Sequence, residues 1–324
     1  MKVAVIVTAN NTEQYIRKCL DSLVNQTLKD LSITIVDDAS TDGTPDIINE
    51  YVNAYSNLSA IVLKKNAGPG GARNAALKHV GSEYVSFIDS DDWVDLNFYQ
   101  KLYDAAQQYE ADIVSCGLIR KYDTPTTIPV YKCKYDRDYI LTGETAFRIM
   151  TNEYDMGIKF LPSALNKLYR TSFLNDNSLC FLENVFFEDQ PFSYQSTLAA
   201  KKIVCVSDVL YYHFRRKNSI VQSFHKKNID DMLLAYSTIK KYLEQNLIYE
   251  KYKWNYYSSI EHFYNLIIRQ IYEFVFDDES KKQYIKYSFA KLKAVIDIDE
   301  YINYCSVEKL RKHIQPFIDD TTIY

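Results

Sequence analysis

The strongest constraint on this chain is a pattern repeated through its N-terminal third: short, continuous apolar runs that each stop at a polar cluster. Val3-Ala4-Val5-Ile6-Val7 leads into Thr8-Ala9-Asn10-Asn11, and Ile33-Thr34-Ile35-Val36 leads into Asp37-Asp38-Ala39-Ser40. Tyr84-Val85-Ser86-Phe87-Ile88 leads into Asp89-Ser90-Asp91-Asp92. Runs this short and this apolar read as strands covered on both faces, the habit of a parallel sheet. Further strands are expected around Ile61-Val62-Leu63 and Ile113–Cys116. Helical segments lie between them, one from about Thr12 with Ile16, Cys19, Leu20, Leu23 and Val24 on one face, one from Pro45, and one containing Ala72 to Lys78. The β-α-β rhythm predicts an α/β fold, a Rossmann-like, mainly parallel sheet flanked by helices. Ligands of such sheets bind beyond the carboxyl ends of the strands, so the polar clusters converge on one crevice.

Three of those terminal residues are carboxylates within four positions. Crowded carboxylates repel unless a cation or strong donors compensate them. Asp89 and Asp91 are two apart, so in extended backbone they point to one face. A hard divalent ion, Mg²⁺ or Mn²⁺, carrying substrate phosphates is the natural guest. The same residue types also build turns and helix caps, and the cluster alone leaves both readings open. The segment Asn66-Ala67-Gly68-Pro69-Gly70-Gly71-Ala72-Arg73-Asn74 offers glycines that let backbone approach a ligand, and Arg73 as a fixed positive fork. It has neither the GxGxxG spacing nor the Gly-Lys-Ser/Thr of a P-loop.

The 324 residues are long enough for one large core or two domains, and a net charge of -4 argues against a nucleic-acid partner. Six scattered cysteines with no CxxC pair read as reduced thiols. No apolar stretch approaches the roughly 20 residues that span a bilayer. The expected location is cytoplasmic, with peripheral attachment at the inner membrane face as a further option, given 29 Tyr and the cluster Lys251-Tyr252-Lys253-Trp254. Residues 1–225 are read as one catalytic domain, with 1–115 as its nucleotide-binding half and 116–225 as its acceptor-side half. Residues 226–324 are read as a helical region for packing or oligomerisation. There Ile229, Met232, Leu233, Tyr236, Ile239 and Leu243 form one apolar stripe, and Ile260, Phe263, Tyr264, Ile267, Ile268 and Ile271 a second.

Taken in order and spacing, Val3–Val7 with Thr8, Asp37-Asp38-Ala39-Ser40, Asn66-x-Gly68…Ala72-Arg73-Asn74 and Asp89-Ser90-Asp91-Asp92 make the chain resemble the family 2 glycosyltransferases, inverting nucleotide-sugar enzymes with a GT-A fold. Two later segments extend the resemblance: Glu188-Asp189-Gln190, like the family's acid pair, and Tyr211-Tyr212-His213-Phe214-Arg215-Arg216-Lys217-Asn218-Ser219, like the stretch that folds over the diphosphate. The resemblance implies that Asp38 holds uracil or ribose, with Thr8 and Arg73 lining the same nucleotide pocket. It implies that Asp89 binds ribose or sugar, and that Asp91 ligates Mn²⁺ or Mg²⁺, with Asp92 a second choice that equally caps the turn into Trp93. His213 becomes the third metal ligand, Arg216 or Lys217 neutralises the leaving UDP, Asp189 is the general base, and Glu188 grips sugar hydroxyls.

The expected activity is transfer from a UDP-sugar to a hydroxyl of a carbohydrate or polyol-phosphate acceptor, such as a bacterial envelope or capsular polysaccharide or a teichoic acid. A protein or peptide acceptor is an alternative, as is a catalytically inactive sugar-nucleotide-binding protein. A nucleotidyltransferase is disfavoured, because the loop after the first strand has no glycine.

Overall fold

The structure, a computed structural model, describes residues 1–122, 127–131, 134, 136–215, 224–298 and 300–301. It divides into two compact units, Met1–Arg216 and Lys217–Tyr324.

The first unit is built on one sheet of ten strands among the described residues. Its parallel part comprises β1 (Val3–Ala9), β2 (Leu31–Asp37), β3 (Leu58–Val62) and β4 (Tyr84–Asp89), in the spatial order β3-β2-β1-β4. Register decides what meets at the strand ends: Thr8 lies beside Asp89 across β1 and β4, and Ala9 lies beside Asp37 across β1 and β2. The intervening helices are α1 (Ile16–Val24), α2 (Thr44–Ala54) and α3 (Gly68–Leu77). Val3, Val5, Val7, Ile33 and Ile35 are fully buried beneath them, as expected of strands covered on both faces.

Beyond β4 the sheet becomes mixed. β5 (Trp93–Val94) and α4 (Phe98–Tyr109) precede β6 (Ile113–Tyr122), which runs well past the expected Ile113–Cys116. β7 (Thr127–Tyr131), β8 (Tyr139–Leu141), α5 (Gly143–Met150), β9 (Lys167–Arg170), α6 (Thr171–Asp176), α7 (Asp189–Ala199) and β10 (Ile203–Arg215) complete the unit. β9 is wedged antiparallel between β4 and β6, while β10 runs parallel to β6 and antiparallel to β5.

Three elements begin elsewhere than the sequence pattern suggests. The first helix starts at Ile16 rather than Thr12, because Asn11 is left-handed (φ 51°) and the Thr12 amide donates to Thr44 Oγ1 at 2.8 Å, tying residues 11–12 to the loop after β2. β3 lies earlier than Ile61–Leu63, because its register is set by pairing Ile33 with Leu58. The glycine-rich segment is helix from Gly68 onward, not a loop leading into one.

The second unit contains α8 (Lys226–Gln245), α9 (Tyr249–Phe274) and α10 (Asp278–Leu292). Within it α8 and α9 pack on one another around Tyr236, whose ring lies 5.7 Å from that of Phe263. Tyr236 Oη donates to the Ser259 carbonyl and Tyr256 Oη to the Tyr236 carbonyl, both at 3.2 Å. No described helix is long and apolar enough to cross a membrane.

Candidate active site

The carboxyl ends of β1, β2 and β4 gather the polar clusters, and the local sequence explains each placement. After β2, Asp37 accepts from the Ser40 amide at 3.1 Å and Ala39 is left-handed (φ 58°), so the chain turns sharply. Asp38 is thereby buried against α3, with Oδ1 accepting from the Ala67 amide at 2.6 Å. Burial pushes its carboxyl above the ordinary range, opposed by the Ala67 and Gly68 amides. The Asp38 carbonyl takes the Asn10 amide group at 2.7 Å and that of Asn66 at 3.3 Å, which locks three loops together.

At the end of β4, carboxylate oxygens of Asp89, Asp91 and Asp92 lie within 4.8 Å of one another. Asp89 and Asp92 are both held by protein donors. Asp89 Oδ1 receives Thr8 Oγ1 at 3.2 Å and Arg73 Nη2 at 2.8 Å, while no described residue bonds its Oδ2. Asp92 is buried and anchors β10: Oδ2 receives Tyr211 Oη at 2.7 Å and faces His213 Nδ1 at 3.2 Å, and Oδ1 receives the Phe214 amide at 2.8 Å. Both Asp92 oxygens are thus engaged by β10, while the residue still belongs to the three-carboxylate group. With Nδ1 committed to Asp92, Nε2 is the ring atom left for a metal, the usual carboxylate–histidine arrangement behind a metal ligand. Burial disfavours the His213 imidazolium, but the Asp92 carboxylate outweighs it and raises the imidazole pKa. The three-carboxylate group suits a hard ion such as Mn²⁺ or Mg²⁺, and His213 stands behind Asp92 rather than within that group. His213 belongs to β10 rather than to a loop. Arg216 and Lys217, the expected diphosphate contacts, lie outside the described residues.

The distant acid pair reaches this crevice because residues 181–188 dock along α3. Asn74 brackets Phe181, donating to its carbonyl at 2.9 Å and accepting from its amide at 3.0 Å. The Asn184 amide donates to the Ala67 carbonyl at 3.1 Å. Gly70 makes the approach feasible: a Cβ there would stand 1.9 Å from the Leu182 carbonyl oxygen. That glycine admits the protein's own backbone rather than a phosphate. At the end of this segment Glu188 Oε1 meets Arg73 Nη1 at 2.5 Å.

The Arg73 fork is therefore spent on Glu188 and Asp89, and the residue is only 3% exposed. Arg73, expected to line the nucleotide pocket, contacts Glu188 and Asp89 in the structure. It welds the acid pair to the carboxylate strand end. Burial opposes its charge, but Asp89, Glu188 and Asp189 together hold it protonated. Asp189 opens α7 and keeps some solvent contact. Burial first, then the Glu188 charge, pushes its carboxyl up to about 7, with Arg73 opposing. A carboxylate poised there can take a proton from a hydroxyl near neutral pH.

Asn74, Gly70 and Gln190 were given no individual role by sequence reasoning, nor was Lys167. Asn74, Gly70 and Gln190 each lay within a segment the sequence singled out, whereas Lys167 lay in none.

Comparison with known proteins gives the family and the fold. The sequence model described as "Glycosyl transferase family 2" matches residues 4–177. The chain is 33% identical to the putative glycosyltransferase EpsH of Bacillus subtilis over 78% of this chain and 72% of that protein. It is 33% identical to the poly(ribitol-phosphate) beta-N-acetylglucosaminyltransferase TarS of Staphylococcus aureus, over 67% of this chain but only 36% of TarS. The crystal structure of S. aureus TarS 1–349 superposes with a TM-score of 0.69 at 26% identity, covering 91% of this chain and 81% of that one. The same fragment in complex with UDP-GlcNAc gives a TM-score of 0.62 at 24% identity, covering 94% and 90%. The expected GT-A fold is borne out.

Proposed function

The chain belongs to glycosyl transferase family 2, and from that premise we propose that it moves a sugar from a UDP-sugar to a hydroxyl of a cell-envelope polymer by a single inverting displacement. The observation that carries this reading is Asp189, pushed up to about 7 and coupled through Glu188 and Arg73 to the Asp89 strand end. Acid–base and phosphate-binding chemistry then flank one crevice, as displacement at an anomeric carbon requires.

Asp189 takes the acceptor proton as the acceptor oxygen bonds the anomeric carbon and the bond from that carbon to UDP breaks. Glu188, fixed by Arg73, is oriented toward hydroxyls of donor sugar or acceptor. Asp38 and Thr8 belong to the nucleotide side. Asp91 and His213 Nε2 would hold Mn²⁺ or Mg²⁺, with Asp92 orienting the imidazole. The bound ion supplies positive charge against that growing on the diphosphate. Arg216 and Lys217 are assigned to the same leaving group.

The UDP-GlcNAc complex of TarS supports a UDP-sugar donor, and the poly(ribitol-phosphate) activity in its name supports a polyol-phosphate acceptor. The test is a panel of UDP-, GDP- and TDP-sugars with Mn²⁺ and poly(ribitol phosphate), reading released nucleoside diphosphate. UDP release that depends on acceptor is expected. No release from any UDP-sugar, or full transfer by Asp189→Asn, overturns the reading.

A further inference from the structure

Lys167 is buried at the start of β9, 2% exposed, yet no carboxylate reaches its ammonium among the described residues. Its hydrogen-bond acceptors are all neutral. Nζ donates to the carbonyls of Ser163 at 2.7 Å, Leu161 at 3.1 Å and Leu165 at 3.4 Å, and to Asn166 Oδ1 at 3.3 Å. Two other side chains take the carbonyls in between: Gln190 Nε2 donates to Pro162 at 2.7 Å, and Tyr169 Oη to Ala164 at 3.4 Å. Every carbonyl from Leu161 to Leu165 is thus captured by a side chain of β9 or of the first turn of α7.

A buried ammonium is costly to desolvate, and burial lowers the Lys167 pKa to about 8. A loop needs no such cation merely to be covered. Five consecutive carbonyls turned inward define its path residue by residue instead. The outer surface of that path, at Leu161, Pro162 and Ser163, stays half-buried. The tether at Pro162 comes from Gln190, next in sequence to Asp189.

We infer that Lys167 is a positioning residue for the acceptor: with Gln190 it holds residues 161–165 as a rigid wall beside Asp189, against which the incoming hydroxyl is aligned. The inference rests on Asp189 being the base. A group misplaced by about 1 Å costs on the order of 10²-fold in rate, so a wall of defined path matters to transfer far more than to donor binding.

The experiment compares Lys167→Met, which keeps length and volume, with Gln190→Leu, which cuts the second tether without touching the buried lysine, and with the double variant. Hydrogen exchange of the amides of Leu161 and Ser163–Asn166 and kinetics with UDP-GlcNAc and poly(ribitol phosphate) are read together. Both single variants are expected to exchange faster at 161–166, to raise acceptor KM about tenfold or more with UDP-GlcNAc KM unchanged, and to be non-additive in the double variant. Unchanged exchange at 161–166, or an equal loss of UDP-GlcNAc affinity, overturns the inference. If the parent chain transfers nothing to this acceptor, the activity reading fails on its own, and the exchange data still decide whether Lys167 and Gln190 hold the wall.

Discussion

Arg73 and Glu188, 115 positions apart in sequence, meet at 2.5 Å in a nearly solvent-free ion pair. The same guanidinium holds Asp89 at 2.8 Å, so one side chain joins the strand-end carboxylates to the acid pair. Removing one partner of a buried pair leaves an uncompensated charge.

Arg73→Leu is therefore expected to lose about 3–5 kcal/mol of stability and to transfer sugar on the order of 10²-fold more slowly or worse. Arg73→Lys should fare little better, because a single ammonium cannot span two carboxylates as a fork does. Thermal unfolding and kcat for both variants check this. A fully active Arg73→Lys would show that the fork geometry is irrelevant.

Gly70→Ala tests whether the glycine serves packing. Its added methyl would collide with the Leu182 carbonyl oxygen at 1.9 Å, whereas a Cβ at Gly81 meets nothing within 4 Å. Overpacking against backbone should cost about 1–3 kcal/mol at Gly70 and displace residues 181–188. Gly81→Ala should stay within about 0.5 kcal/mol of the parent. Denaturant unfolding of the pair decides it, and equal stability of the two variants would remove the docking account.

Much of this crevice was legible in the sequence because its parts are local. The apolar runs located β1, β2 and β4. Their in-register pairing then put Thr8 beside Asp89, as strand ends in a parallel sheet must be put. What stayed hidden depends on long-range approach. Nothing in Arg73 tells that its fork is filled by Glu188, and glycines that admit a ligand look the same as glycines that admit Leu182. Lys167 sits in a run, Asn166-Lys167-Leu168-Tyr169-Arg170, where lysine is ordinarily a solvated surface residue. Its burial follows from the path of residues 161–165, which no spacing encodes.

Asp92 predicts a split in metal dependence. It orients His213 and anchors the Phe214 amide, so Asp92→Asn should weaken activation by Mn²⁺ about 10–100-fold without abolishing it at saturating metal. Asp91→Ala should abolish activation at any concentration. Chelation with EDTA should silence the parent, and Mn²⁺ should restore it. Titrating rate against Mn²⁺ for the two variants separates orienter from ligand, and identical curves would merge the roles.

With Asp189 as the proposed base, the pH dependence follows from its carboxyl. Its folded carboxyl is pushed up to about 7, so kcat/KM should rise with pH and level off above that value, since only the carboxylate accepts the acceptor proton. Stability must move the other way. The folded state binds a proton between the ordinary carboxylate range and about 7 that the unfolded state has already lost, so unfolding free energy falls with rising pH across that window. Asp189→Asn removes both effects. It should transfer on the order of 10²–10⁴-fold more slowly. At pH 8 it should melt higher than the parent, by about 2–4 °C for each kcal/mol recovered, with the gap closing toward pH 5. Rate profiles and melting curves on the same two proteins test both halves together. A variant equally stable at pH 8 and pH 5 relative to the parent would mean that the Asp189 carboxyl is not held above its ordinary range, and the pH–rate profile would then need another group.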